Sequence, residues 1–268
     1  MTNKFFSVQL VPDIINGDVS TVIGNQVPSA TDKAFGSTEI LFDWHAVDVP
    51  RGVNMLRSIA MYSMGEDGGN QAGDVDAYLV FAKSVDGVAP STLGSVNASQ
   101  TACFELPKHF IGVAKMIGKN YEGTMPGAFG KLFTNTGSLA GDTAEDAGFG
   151  VPLILPLEDS SGTNVGYDTL YVAGFTGSSA VFDFSTGVQP TAQATTSTDT
   201  IAVDGVDPRK CFQIGDTVYT NTDDTALGTV KSMGANEIVL NANLAAQVED
   251  NEEIVNANPL RITLGFER

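Results

Sequence analysis

Catalysis, metal binding and phosphate binding each need particular side chains at particular spacings, and this chain supplies few. Its two histidines are His45 and His109. His45 stands between Trp44 and Ala46 in an alternating run and projects from the face opposite Trp44; His109 follows Lys108. Neither has a histidine or cysteine at the spacing of a tetrahedral zinc site. No G-x-S-x-G elbow marks a nucleophilic serine, although a triad assembled by folding would leave no such trace. Both histidines are therefore expected to be ordinary surface or packed side chains. Cys103 and Cys211 are far apart and form no C-x-x-C pair, so they read as two small buried thiols.

Anion and cation loops fare no better. Gly127-Ala128-Phe129-Gly130-Lys131 is glycine-rich, but Leu132 stands where a phosphate loop needs Ser or Thr, and Met125 replaces its first glycine. The segment reads as a flexible loop and a contact arm. The run Glu66-Asp67-Gly68-Gly69-Asn70-Gln71-Ala72-Gly73-Asp74-Val75-Asp76 gathers hard oxygen donors of the kind calcium prefers. It lacks the D-x-[DN]-x-[DN]-G spacing and reads as a solvated hairpin loop. Asp204-Gly205-Val206-Asp207 and Glu249-Asp250-Asn251-Glu252-Glu253 read likewise as turns and a solvated acidic face. The expectation is a non-enzymatic protein with no catalytic residue, cofactor site or metal site.

The elements that must carry these residues are strands. Phe6, Val8 and Leu10 alternate with Ser7 and Gln9, the period of a half-buried strand. Ile40, Phe42, Trp44 and Ala46 share one face before Val47 and Val49 take the other, which predicts a bulge near His45. Ile59 and Met61 continue the alternation. Tyr78-Leu79-Val80-Phe81 is apolar on both faces and should be a central strand. Val151 to Leu157, Leu170 to Phe175 and Val181 to Phe184 complete the first set. One short helix is predicted over Phe110 to Ile117, where Phe110, Val113, Ala114 and Ile117 follow helical spacing behind Pro107.

A change of composition divides the chain. Residues 189–200 are small, polar and nearly uncharged, as a linker should be. Beyond them Ile201 to Val203, Phe212 to Tyr219, Gly228 to Val230 and Ile238 to Leu240 read as short strands of a small β-barrel over 201–257. After Asn256-Ala257-Asn258-Pro259, the run Leu260 to Phe266 alternates cleanly and is expected to return to the first sheet. The expected fold is therefore all-β with at most one short helix. Residues 1–188 plus 258–268 form a β-sandwich or jelly-roll main domain, with an N-terminal arm at about 12–37. The barrel is inserted near the C-terminus.

Composition narrows the function. Of 268 residues, 42% are hydrophobic and only 17% charged, against a usual charged share of about 25%. With 14 Lys plus Arg against 32 Asp plus Glu the net charge is -18. Such a surface repels nucleic-acid backbones and anionic lipid, so neither is an expected partner. Met1-Thr2-Asn3-Lys4-Phe5-Phe6 opens no signal-peptide block, and no stretch nears the ~20 apolar residues of a membrane helix. The expectation is folding in a cytoplasm.

Several short segments stand out: Val49-Pro50-Arg51-Gly52 before a strand, Leu79-Val80-Phe81-Ala82-Lys83-Ser84 with Asp86-Gly87, and Leu170-Tyr171-Val172-Ala173-Gly174-Phe175. In the barrel they are Gly215-Asp216-Thr217-Val218-Tyr219 and Leu227-Gly228-Thr229-Val230. Together they resemble tailed-bacteriophage virion structural proteins, in particular capsid decoration (cement) proteins. The resemblance implies a virion location, binding to the major capsid protein, and a homo-oligomer, a trimer at a local threefold position. It carries over no functional residue. Two alternatives stand beside it: a phage tail component (tube or fibre-associated protein), and a carbohydrate-binding or hydrolytic β protein. The last needs aromatic platforms and paired carboxylates, and one Trp with six Tyr is a thin supply.

Overall fold

The computed structural model describes residues 5–12, 14, 34–50, 54–63, 77–85, 88–99, 106–116, 128–133, 153–155, 169–177, 182–184, 187–221 and 225–267. The fold is nearly all β. The first sheet contains β1 (Phe5–Leu10), β4 (Asn54–Ser63), β7 (Ala128–Phe133), β8 (Leu153–Leu155) and β17 (Leu260–Glu267). Their order is β1-β17-β4-β7, with β8 also on β4. The second sheet runs β3-β9-β5-β6, from β3 (Ile40–Asp48), β9 (Thr169–Thr176), β5 (Ala77–Ala82) and β6 (Phe110–Met116). A short pair, β2 (Ala34–Phe35) with β10 (Phe182–Asp183), stands apart.

Alternation makes the two sheets a sandwich. Leu260, Ile262, Leu264 and Phe266 of β17 and Leu56, Ile59 and Met61 of β4 point into one core. Leu79 and Phe81 of β5 and Leu170 and Val172 of β9 fill it from the other side. β5, apolar on both faces, lies inside its sheet as its sequence requires. Its second face joins Ile40, Trp44, Leu93, Ala173 and Phe175 in a smaller outer core through Val80 and Ala82. The Trp44 Nε1–H donates to the Ser91 carbonyl at 2.9 Å, fastening the covering segment.

A six-stranded, nearly closed barrel follows. It is built from β11 (Gln189–Pro190), β12 (Thr200–Asp204), β15 (Glu237–Leu240), β14 (Ala226–Met233), β13 (Thr217–Thr220) and β16 (Ile254–Asn256), in that spatial order. Val188 and Ile254 close the ring by exchanging backbone hydrogen bonds at 3.0 and 2.8 Å. Val203, Phe212, Val218, Leu227, Val230, Ile238, Leu240 and Val248 fill the interior. The chain then leaves the barrel and β17 enters the first sheet between β1 and β4.

Five readings of the sequence need correction. Residues 110–116 are the strand β6, and the helical turn is Leu106–His109 just before it. The helical spacing was coincidental: β-branched Ile111 and Val113 suit a strand, β5 supplies a ladder, and a slip at Phe81/Ala82 leaves Ile111 out of register. Of the spaced residues Ala114 is buried while Phe110 and Val113 are exposed. Second, 189–200 is no linker. β11 belongs to the barrel, Ala194 exchanges bonds with Val248, and Thr191 donates to Ala202. Its small hydroxyl side chains bond locally, as Thr195 with Ser197 and Thr198 with Thr200. Third, Phe42 leaves the face of Ile40 and Trp44 and points into the sandwich core, with register slips on both sides of it. Its ring lies over Gly174, where a Cβ would collide with it. Fourth, 128–131 belong to β7, paired with β4, not to a loop. Fifth, the described ends of the expected arm are packed. Ile14 is buried and donates to Ala257 at 2.9 Å, and the Phe35 ring meets Phe184 edge-on at 5.9 Å. Residues 13 and 15–33 of that arm, the acidic segment 66–76, Gly127 and Cys103 lie outside the described residues.

Barrel closure leaves no room at Gly187, where an added methyl would overlap the Ile254 carbonyl, a backbone group that cannot yield. Gly187→Ala is expected to cost about 3 kcal/mol in chemical denaturation. Gly205→Ala, at φ +73° with nothing nearby, should cost only about 1–2 kcal/mol from its left-handed backbone. Equal losses at the two positions would refute this account of closure.

Candidate functional site

Among the described residues, those singled out for chemistry are not brought together. His45 is half-buried on β3, opposite Val172, at one edge of the second sheet. His109 is buried next to the other edge, where its Nδ1–H donates to the Lys83 carbonyl at 2.9 Å and Lys83 N–H returns a bond to its carbonyl. β9 and β5 stand between the two. Among the described residues no three His, Cys, Asp or Glu side chains are placed to hold a metal ion. Cys211 is buried in the barrel core. Asp207 caps the 3-10 turn Pro208–Lys210 and takes a forked bond from Arg209, which holds its carboxyl down at about 2. Glu253 is not merely solvated: it accepts from Gly187 N–H at 2.9 Å and Gln189 Nε2 at 2.6 Å, clasping the barrel seam.

The most elaborate polar cluster lies where barrel meets sandwich. Asp216 ends a tight turn at the entrance to β13; Arg261 is the second residue of β17. Both are buried, at 3% and 7% exposure. The Arg261 Nη2 pairs with Asp216 Oδ1, and its Nη1 donates to the carbonyls of Asn258 and Leu260. Asp216 Oδ2 accepts from Gln213 N–H at 2.8 Å and from Asn256 Nδ2 at 2.7 Å. The Asn256 amide also donates to the Cys211 carbonyl, and its oxygen accepts from Asn258 N–H at 2.7 Å. Asn258 Oδ1 in turn accepts from Thr217 N–H. Burial pushes the Asp216 carboxyl above its usual range; the guanidinium and the amide donors pull against that shift. Apolar contact joins the same place, since Tyr219, Val255 and Ala257 pack into the sandwich core. The arrangement ties the entrance of β13 and the exit of the barrel to β17.

Sequence reasoning passed over this cluster. Its available signals were the amide-rich run Asn256-Ala257-Asn258 and a lone arginine inside an otherwise apolar alternating strand. A second buried acid, Asp43 on β3, was also missed. Its Oδ1 accepts from Trp44 N–H at 2.8 Å and Leu93 N–H at 3.1 Å, and its Oδ2 from the Thr92 hydroxyl at 2.6 Å. It anchors the segment that covers the outer core, and burial raises its carboxyl above the ordinary 3.8 despite these donors.

Among the described residues five large apolar side chains face outward: Phe5, Val88, Phe110, Val113 and Ile214. Phe5 opens the edge strand β1, Phe110 and Val113 lie on the edge strand β6, and Ile214 tops the Asp216 turn. No protein-family model, curated protein or solved structure matches the chain.

Removing Arg261 strands a buried carboxylate, so Arg261→Met should cost about 3–5 kcal/mol at pH 7. Asp216→Asn in the same chain should recover part of that loss, and a double-mutant cycle with no coupling would contradict the pairing. For Asp43 the sign follows from the raised carboxyl. Above pH 3.8 the unfolded chain gives up its proton first, so the acid's stabilising contribution is complete below that pH and declines as pH rises through the folded value. Asp43→Asn should therefore gain on the parent in Tm as pH rises above 3.8. Asp43→Ala leaves two buried N–H groups without their acceptor and should cost about 1–3 kcal/mol for each.

Proposed function

We propose that this chain is a non-enzymatic structural protein of a virion, a capsid decoration protein that binds the outer surface of the major capsid protein as a homo-oligomer, in the first instance a trimer. The observation that supports it best is the junction. Asp216, Asn256, Asn258 and Arg261 are buried together and serve to fix a barrel against a sandwich. A protein that bridges neighbouring subunits of a shell needs such a fixed span between its contact surfaces, because any freedom between them must be given up on binding. Exposed apolar side chains on edge strands and turns supply contacts of the size that docking uses. The acidic surface limits adhesion of a crowded particle to other anionic surfaces.

The full chain should co-sediment with empty shells assembled from the cognate major capsid protein. It should appear by electron microscopy as protrusions on the outer face and raise the shell's melting temperature. Rings or stalks attached to tails would replace this reading with the tail component. Binding to a glycan array without binding to shells would replace it with the carbohydrate-binding alternative.

A further inference from the structure

The barrel is electrically lopsided along one strand pair. Arg209, Lys210 and Lys231 are the only Lys or Arg residues between 187 and 258, against eleven Asp and Glu in the same stretch. All three lie around the turn that displays Ile214. Arg209 and Lys210 belong to the 3-10 turn Pro208–Lys210, from which Phe212 N–H bonds back to Pro208. Lys231 follows Val230, whose backbone accepts from Gly215 and donates to Asp216 at 2.9 Å each. Arg209 is occupied by Asp207, whereas Lys210 and Lys231 are exposed and form no ion-pair contact among the described residues. Ile214 is 72% exposed, yet its turn is held rigidly: Asp216 N–H donates to the Gln213 carbonyl at 3.1 Å, and the Asp216 carboxylate is fixed from below. An apolar side chain displayed on a stiff turn loses little freedom when it is covered.

The opposite end of β13 is acidic. β13 begins just after the Ile214 turn and ends at Thr220, which pairs with Ile254 at the start of β16. The loop Glu249-Asp250-Asn251-Glu252-Glu253 leads directly into Ile254, and Asn221 N–H donates to the Glu253 carbonyl at 2.8 Å. Glu249 and Asp250 are exposed there. Thr191 and Ala192, small and exposed, border this loop through the Asn251–Pro190 backbone bond and offer a surface for an isoleucine to pack on.

We infer that copies of this chain associate head to tail, with Ile214, Lys210 and Lys231 at one end of the barrel seated against Glu249 and Asp250 at the acidic end of the next copy's barrel. Opposite charges then meet across a central apolar contact, an arrangement that steers encounter and fixes register. A contact between two different patches is heterologous, and it closes into a ring when the rotation between copies permits. The inference rests on the homo-oligomer of the proposed function and gives it a geometry. It is read in free solution, so failure to bind capsid shells leaves it standing and its own failure leaves shell binding open.

The test is sedimentation equilibrium of the full chain up to about 100 µM, at low and high salt, with folding of every variant checked by circular dichroism and melting. The parent should form oligomers that weaken with salt. Ile214→Asp, the pair Lys210→Glu/Lys231→Glu, and the pair Glu249→Lys/Asp250→Lys should each weaken the dissociation constant at least about tenfold. The two charge-reversed pairs combined in one chain should associate again, because both ends are then exchanged. A parent that is monomeric throughout overturns the inference. So does an oligomer indifferent to Ile214→Asp, or a folded four-fold variant that associates no better than either reversed pair.

Discussion

One buried cation sets the relation between the two halves of this protein. Arg261 lies on a strand whose neighbours Leu260 and Ile262 face the sandwich core, and its guanidinium reaches the Asp216 carboxylate at the foot of the barrel. Ion pairs taken out of water contribute little net stability, because desolvation offsets most of the Coulomb attraction. They are intolerant of misplacement, however, since either charge left alone is expensive. The pair therefore acts mainly on geometry. Asn256 and Asn258 extend it by tying the exit of the barrel to the entrance of β13 and to β17. Tyr219, Val255 and Ala257 add the apolar contact that supplies cohesion.

The strands were legible wherever one face is wet and the other dry. β1, β17 and the barrel strands alternate in sequence because they alternate in space, and the β5 run reads as central because both of its faces are covered. What failed did so for physical reasons. The β3 phase slips around Phe42, where a bulky ring settles over Gly174, and no period-two rule registers a ring that exploits a missing side chain on the neighbouring strand. β6 has the spacing of a helix because a register slip breaks its alternation. Residues 189–200 look like a linker since small hydroxyl residues serve flexible chain and tight barrel rim equally well. Their hydrogen bonds to residues about fifty positions away, such as Ala194 with Val248, are invisible in local composition.

The candidate site was less legible than the fold. Loops rich in acid drew attention as possible metal ligands, while the acids that matter most to the structure, Asp43 and Asp216, stand singly among unremarkable neighbours. Their significance lies in what they accept: backbone N–H groups of distant segments, a threonine hydroxyl, a guanidinium. Such convergence is a product of tertiary folding. Glu253 makes the same point, for within a run of acids it alone clasps both Gly187 and Gln189.

The placement of β17 also orders events in time. It lies in the interior of the first sheet, between β1 and β4, although it follows every other strand in the sequence. Among the described residues the barrel's strand pairings fall within 187–256. During synthesis the barrel strands therefore emerge before β17, and β1 and β4 cannot complete their pairing until β17 follows. Pairings that span nearly the whole chain, such as Phe5 with Glu267, are slow to find. The sandwich is thus the part of the molecule whose pairing waits longest on synthesis, because β17 follows the barrel in the sequence.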